Sequence, residues 1–401
     1  MRSRLAPLLT ALLLLLASAA AGAELRIASW NVEHLGWDNA KSYPAVARVA
    51  SQFDLLALQE VMAPEAVAEL ERALEAATQQ DWGSLVSHAV GDGYQEHYAF
   101  IWREAAVAYV DGAVVYVDDR DAFAREPFSA RFRDRGSGEV LAAATVHILY
   151  GDGVADRTPE IRALRRYWAW LGEIYPEQTE RRLLMGDFNL PPDHPAWAPL
   201  KEVARPAPIA AATTLSSTDG AYASRYDHLW LPRRHRLAVT GQGVLRFPEL
   251  LAETSGRPWR HEAARAHVSD HAPVYVLLDG AELHPAPQGP LHPPGDPQAP
   301  AATAAADCID LNRAGAQRLQ ALPHIGPERA AAVVAGRPWS GVAELERIDG
   351  IGPARRADIA SSGERLPSLQ GRTSRARPSG RAHGGGSEAF IAQYTDIRIL
   401  T

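Results

Sequence analysis

Five short polar clusters follow one another in the first part of the chain: Ser29-Trp30-Asn31, Gln59-Glu60, His147, Gly186-Asp187-Phe188-Asn189 and Ser269-Asp270-His271. Together they hold the groups needed to cut a phosphodiester with a divalent cation. Carboxylate and amide oxygens are hard ligands. Amide N–H groups can hold an anionic oxygen. Two imidazoles can move protons near neutral pH. Any one cluster alone reads as a strand-end turn, where Asp and Asn are common. The ordered set carries the inference.

The clusters sit at the ends of apolar runs. Asn31 follows the run 25–30, and Glu60 follows 55–59. Asp187 and Asn189 follow 182–186, and Asp270 and His271 precede 274–278. Polar groups at the ends of buried strands converge on one rim of a sheet, where a rigid base can hold a site. Strand-like runs are predicted at 25–29, 55–58, 98–102, 113–117, 141–148, 182–185, 228–231 and 274–278. Helical spacing appears over 63–77, through Val67, Leu70 and Leu74, and over 159–174, through Ile161, Leu164, Trp168 and Leu171. Strands outnumber helices and hairpin-like neighbours recur. An α/β domain over 24–279 is therefore expected, with two mixed sheets packed face to face and helices outside.

The 401-residue chain is long enough for one large and one small domain, and its 46% hydrophobic content allows a sizeable core. The formal net charge is −7, and residues 24–279 hold 26 basic and 36 acidic side chains. Bulk charge therefore does not mark a general polyanion binder; local donors and metal ions must offset a nucleic-acid backbone. Residues 1–23 read as a secretory signal. Arg2 and Arg4 precede the apolar run 8–21, and Ala21-Gly22-Ala23 is a small-x-small cleavage site. An uncleaved anchor is the alternative, but the run is short for a membrane span. Export to the periplasm or the medium is expected, without stable membrane association. Cys308 is the only cysteine, which leaves no internal disulfide.

Residues 280–306 are rich in proline and alanine and read as a stiff linker. A small all-α module is expected over 307–362, and a disordered tail over 363–401. The module carries an internal repeat, His324-Ile325-Gly326-Pro327 and Gly350-Ile351-Gly352-Pro353. Proline suits the first position of a helix, where its missing N–H costs nothing. Glycine lets a backbone approach a ligand. Ile325, Gly326, Gly350, Ile351 and Gly352 thus mark two helix starts whose amides can face phosphate oxygens. This stretch resembles the tandem helix-hairpin-helix domains of competence-type DNA receptors, which implies binding to the DNA backbone without sequence preference. His324 departs from the pattern, because glycine is usual there. Seven arginines are balanced by seven acids over 307–360, so modest affinity is expected. A scaffold or protein-interaction role is the alternative.

The clusters of residues 24–279 resemble the endonuclease/exonuclease/phosphatase superfamily, within it the deoxyribonuclease I branch. The branch resemblance rests also on Tyr94-Gln95-Glu96-His97-Tyr98, Arg125-Glu126-Pro127, Tyr226-Asp227-His228 and Ser269-Asp270-His271-Ala272-Pro273-Val274. It implies a four-layer α/β sandwich with the site at one edge of the two sheets. Chemistry and resemblance together make Glu60 the main metal ligand, with Asn31 and Asp270 beside it. Mg²⁺ or Mn²⁺ is expected, since the ligands are oxygens and no Cys/His cluster is present. His147 and His271 would flank the scissile phosphate. By resemblance Glu96 orients His147 and Asp227 orients His271. Asp187 and Asn189 would position water and hold the phosphorane oxygens. Arg125 matches a phosphate contact, and Tyr94 a residue that touches the minor groove. Two features depart from the branch. Met62 stands near where an arginine often enters the minor groove, and the segment 213–225 is longer, so structural calcium sites do not transfer. These residues imply a metal-dependent DNA endonuclease of low sequence specificity. Two alternatives stay open: a secreted phosphodiesterase acting on a lipid or sugar phosphate, and DNA capture without cleavage.

Overall fold

A computed structural model describes residues 24–291 except Asp38 and Tyr94, together with 309–361 and 398–399. The expected signal at 1–23, Tyr94, Cys308, the linker from 292 onward and nearly all of the tail lie outside the described residues. The chain divides into two compact units, one up to Ala301 and one from Ala302.

The first unit is built on two six-stranded mixed sheets. One contains β1 (Leu25–Leu35), β2 (Leu55–Val61), β3 (Trp82–Val86), β4 (His97–Arg103), β11 (Val239–Val244) and β12 (Val274–Leu278), in the order β11-β12-β1-β2-β4-β3. The other contains β5 (Val107–Val115), β6 (Phe128–Asp134), β7 (Val140–His147), β8 (Arg182–Asp187), β9 (Ala204–Pro206) and β10 (Asp227–Pro232), in the order β5-β6-β7-β8-β10-β9. The two sheets share a plan. Each has one parallel pair near its middle, β1 with β2 and β7 with β8, and every other pairing is antiparallel.

Successive side chains of a strand point to opposite faces. On β1, Leu25 and Ile27 enter the core between the sheets, while Ala28, Trp30 and Val32 join the outer core. On β2, Leu55 and Ala57 point in, and Leu56 and Leu58 point out. Both faces are buried, which is why these strands read as unbroken apolar runs. The outer face of the first sheet is covered by α1 (Tyr43–Ala50), α2 (Pro64–Thr78), α5 (Phe247–Ser255) and α6 (His261–His267). That of the second is covered by α3 (Val154–Ile174) and the short α4 (Ala198–Lys201). The result is the four-layer sandwich.

Several elements differ from the sequence reading. The strand expected at 113–117 runs instead over Val107–Val115. Its residues alternate between buried or half-buried and exposed at this sheet edge, so no apolar run announces it. Strands β3, β6 and β11 and helices α1, α5 and α6 were not anticipated. Strand β6 carries Arg131 and Arg133 on either side of Phe132, which breaks its apolar pattern. Helix α3 starts five residues before Pro159. Proline removes the N–H that would bond to the Ala155 carbonyl, and Thr158 Oγ1 donates to that carbonyl instead, at 3.1 Å. Asp156 Oδ2 also accepts from the Asp152 and Gly153 amides and closes the first turn. Residues 281–291, read as linker, pack on the first unit. Ala281 and Leu291 are buried, Arg48 Nη1 donates to the Gly289 carbonyl at 2.9 Å, and His284 meets Asp54.

The second unit contains α7 (Ala316–Leu319), α8 (Pro327–Ala335), a 3₁₀ turn (Val342–Arg347) and α9 (Pro353–Ser361). Pro327 and Pro353 open their helices, as the repeat predicts. Leu322, Ile325, Ile348 and Ile351 occupy equivalent places in one small core with Trp339. His324 has φ +62°, the left-handed region that explains the usual glycine. Histidine tolerates that region better than most residues. Here its Nε2 also reaches Asp358 Oδ2 at 2.9 Å.

Candidate active site

The ends of β1, β2, β7, β8 and β10 and the segment before β12 meet at one rim of the first unit. They line a cleft of about 540 Å³ that includes Glu60, Arg125, His147, Asp187, Asn189, Asp270 and His271. The parallel registers do the assembling. Asn31 lies beside Gln59 across β1 and β2, and His147 lies beside Asp187 across β7 and β8. Asp227 pairs with Asp187 across β8 and β10. The two sheets are tied beneath the cleft by buried Gln59, whose Nε2 donates to Thr145 Oγ1 at 2.8 Å and to Ser29 Oγ at 3.1 Å.

Two histidine dyads face each other. His147 Nδ1 lies 3.0 Å from both Glu96 oxygens, and its amide donates to Tyr98 Oη at 2.8 Å. His271 Nδ1 lies 2.8 Å from Asp227 Oδ2. Trp30 Nε1 donates to the His271 carbonyl at 2.7 Å, and the His271 amide donates to Ser269 Oγ. Both Nε2 atoms turn to Asp187 Oδ2, at 3.7 Å from His147 and 3.6 Å from His271. A carboxylate on Nδ1 fixes the tautomer and leaves Nε2 to work on the cleft side. Burial, and for His147 also Arg125, opposes protonation of these rings. The carboxylates outweigh that opposition. Glu96 and Asp187 hold the His147 pKa above its ordinary value, and Asp227, Asp187 and Asp270 raise that of His271 well above it. Glu96 responds in kind: burial disfavours its charge, but His147 and Arg125 hold its pKa below the usual range.

Asn31 bridges the carboxylates. Its Nδ2 donates to Glu60 Oε1 at 2.8 Å and to Asp187 Oδ2 at 3.2 Å, while its Oδ1 accepts from the Glu33 amide at 2.9 Å. Asn31 is thus an amide donor between two carboxylates in this arrangement. Glu60 Oε2 accepts from the His34 amide. Asp187 Oδ1 accepts from the Asn189 amide, and Asn189 Nδ2 donates to the Ile148 carbonyl. Glu60 and Asn189 have φ of +58° and +51°, conformations held by surrounding structure and common at functional sites. Arg125 Nε donates to the His147 carbonyl at 3.1 Å and stands 3.8 Å from Glu96 Oε1.

The donor set fits a hard divalent cation. Among the described residues, Glu60 and Asp187 have no lysine or arginine ion pair. Their partners are Asn31, backbone amides and histidines. Asp227 Oδ1 is buried without a hydrogen-bond partner. Such uncompensated oxygens suit a cation that prefers oxygen ligands. Asp270 lies on the same wall, 3.9 Å from His271 Nε2, and pairs with Arg265 at 3.1 Å.

Sequence reasoning missed the inner wall of the cleft. The segment 213–225 folds back on itself, with Thr213 N donating to Ser224 O and Ala223 N to Thr214 O. It docks on the His271 segment before β12 through Ala272 N to Thr213 O and Leu215 N to Asp270 O, both 2.7 Å. No local pattern announces a docking that pairs residues this far apart in the chain. Gly186 is a second case. Its φ is +151°, and a Cβ there would lie 2.0 Å from the Val146 carbonyl oxygen. We predict that Gly186→Ala forces β7 and β8 apart, moves Asp187 and costs at least about 1–3 kcal/mol of stability. A melting curve and an activity assay should both fall; an unchanged melting temperature would count against this packing.

In the second unit, Ile325 and Ile351 are core residues, and their amides donate to the carbonyls of Leu322 and Ile348. They set the hairpin turns and do not offer free amides to a phosphate, because backbone turns use those amides first. Gly326 and Gly352 precede the two helices, and Gly350 has φ +78°.

Residues 28–271 match the Endonuclease/Exonuclease/phosphatase family, and residues 304–362 match the helix-hairpin-helix motif. A protein named deoxyribonuclease from Thioalkalivibrio sp. (strain K90mix) is 53% identical over 354 residues, covering 88% of this chain and 95% of that protein. Human deoxyribonuclease-1-like 2 is 32% identical over 65% of this chain and 94% of its own length. Human deoxyribonuclease-1 is 30% identical over 68% of this chain and 98% of its own length. With the sandwich, the paired dyads and these matches, the chain belongs to the endonuclease/exonuclease/phosphatase family, in its deoxyribonuclease I-like branch, and carries a C-terminal helix-hairpin-helix motif.

Proposed function

We propose that this protein is an exported, divalent-metal-dependent DNA endonuclease of low sequence specificity. The observation that carries the reading is the pair of opposed dyads whose Nε2 atoms both lie within 3.7 Å of one Asp187 oxygen. That geometry suits in-line hydrolysis of a phosphodiester. One imidazole takes the proton of the attacking water as the new P–O bond forms. The other gives a proton to the leaving oxygen as the old P–O bond breaks. Asp187 orients both rings and the water, and Asn189 keeps one amide hydrogen for a phosphate oxygen. Arg125 offers charge-assisted contact to the phosphate. Mg²⁺ or Mn²⁺ held mainly by Glu60, with Asn31 and Asp270 beside it, would neutralise charge on the phosphate oxygens.

DNA as substrate is supported by the names of the relatives and by the helix-hairpin-helix motif. Glycine-led helix starts meet backbone phosphates and read no bases, which agrees with low specificity. Residues 1–23 support export. The test is incubation of the mature protein (residues 24–401) with supercoiled plasmid and Mg²⁺ or Mn²⁺, with and without EDTA. Metal-dependent nicking is expected. Intact plasmid, with hydrolysis of a lipid or sugar phosphate instead, would overturn the reading.

The second unit acts as a DNA tether that raises the local substrate concentration. Removing residues 307–401 should raise KM on long DNA and leave kcat on a short oligonucleotide unchanged. An unaltered KM would remove the tether from the account.

A further inference from the structure

Among the described residues, Arg265 is the one arginine lining the cleft on the side of the first sheet. It sits in α6, five residues before Asp270, and belongs to no cluster read from the sequence. Its Nη1 donates to the Leu215 carbonyl at 2.7 Å and pairs with Asp270 Oδ2 at 3.1 Å. The side chain is about one-third exposed, at 31%, and lines the same cleft as both dyads.

A guanidinium carries five donors in a fixed fork. Both hydrogen-bonding contacts of Arg265 go through Nη1, which leaves Nε and Nη2 without a hydrogen-bond partner among the described residues. Anchoring at one nitrogen lowers the entropy lost when the others bind. The surroundings give this charge a purpose. Glu60, Asp187 and Asp270 make the cleft acidic, and a backbone phosphate arriving there needs local cations. Arg125 serves the wall of the second sheet, beside His147 and Glu96. On the other wall, Arg265 pairs with Asp270, the chain neighbour of His271, and lines the cleft beside them. A strand lying across the cleft between the dyads would meet one arginine on each side.

We infer that Arg265 binds the backbone phosphate next to the scissile one, on the His271 side, and so sets the register of the strand across the cleft. This rests on the endonuclease reading above. Arg265 is a substrate-binding residue in this account, distinct from a group that merely holds Asp270.

The test measures kcat/KM of the full chain on a short duplex across a salt series at fixed Mg²⁺, for wild type, Arg265→Gln and Arg265→Lys. Glutamine keeps a donor for the Leu215 carbonyl and removes the charge. Each lost phosphate contact should reduce the slope of log(kcat/KM) against log[salt] by about 0.9. Arg265→Gln should show that reduction and cleave several-fold to about tenfold more slowly at low salt, while Arg265→Lys keeps the wild-type slope. A wild-type slope in Arg265→Gln, with only the half-saturating Mg²⁺ concentration changed, would make Arg265 a support for Asp270 and overturn the inference. The two readings fail separately: wild-type protein that leaves the duplex intact sinks both, whereas normal cleavage with an unchanged slope sinks this one alone. A melting curve checks that both variants are folded.

Discussion

His271→Ala should abolish most plasmid nicking, with kcat falling about 10²–10⁴-fold, the usual contribution of a positioned acid or base. His147→Ala should fall by a similar factor. The two losses should not add, since both groups serve one displacement at a single phosphorus. The physical basis is the opposed geometry: each ring is fixed through Nδ1 and meets the cleft through Nε2. Asp227→Asn tests that basis one step removed. The amide keeps the shape but weakens the hold on the His271 tautomer, so a smaller loss of about 10–100-fold is expected. The measurement is the initial rate of nicking under saturating metal, with melting curves as a control. Wild-type rates in His271→Ala would remove the proton-transfer role and the proposed mechanism with it.

Asp54→Asn should be the most damaging change outside the cleft. Asp54 is fully buried just before β2, the strand that carries Glu60 near its end. Its oxygens accept from the Arg26 amide at 3.0 Å and from Arg26 Nη1 at 3.2 Å, meet Arg103 Nε at 3.3 Å, and bond to His284 Nε2 at 2.6 Å. It therefore ties β1, β4 and the segment after β12 to one point. Removing the charge takes the shared buried carboxylate from two arginines and costs about 3–5 kcal/mol, as breaking a buried pair does, or on the order of 10 °C in melting temperature. Burial alone would raise the Asp54 pKa, but His284, Arg26 and Arg103 hold it below the ordinary carboxylate value. A depressed folded pKa stabilises the protein above the unfolded pKa, and that stability is lost as pH falls through the folded one. The wild type should therefore lose stability below about pH 4, and Asp54→Asn should lack that part of the acid response. Equal acid sensitivity in the two proteins would assign it to other carboxylates.

The residues that line the cleft were legible because their types are chemically demanding and their places are regular. Asn31, Glu60, Asp187 and His271 each stand at the end of an apolar run, and a buried run with a polar end gives both a strand and a rim position. Edge strands such as β5 and β11 were not legible, since one half-exposed face leaves little contrast in the sequence. Arg265 and the docking of segment 213–225 were illegible for another reason. Their roles depend on partners far away in the chain, and neither has a local pattern.

The sequence by itself determined the mixed-sheet class, the ordered set of residues that meet in the cleft and the paired helix starts with their prolines. Periodicity, chain punctuation and residue chemistry are local properties, so they survive in a string of letters. Tertiary structure alone decided that Asn31 donates to two carboxylates, that both imidazoles face one Asp187 oxygen, that Ile325 and Ile351 spend their amides on turns, and that residues 281–291 close the first unit. Each of these depends on which hydrogen-bond partner wins among several within reach. That competition is settled by strand register and packing, where a shift of one residue turns a side chain to the other face.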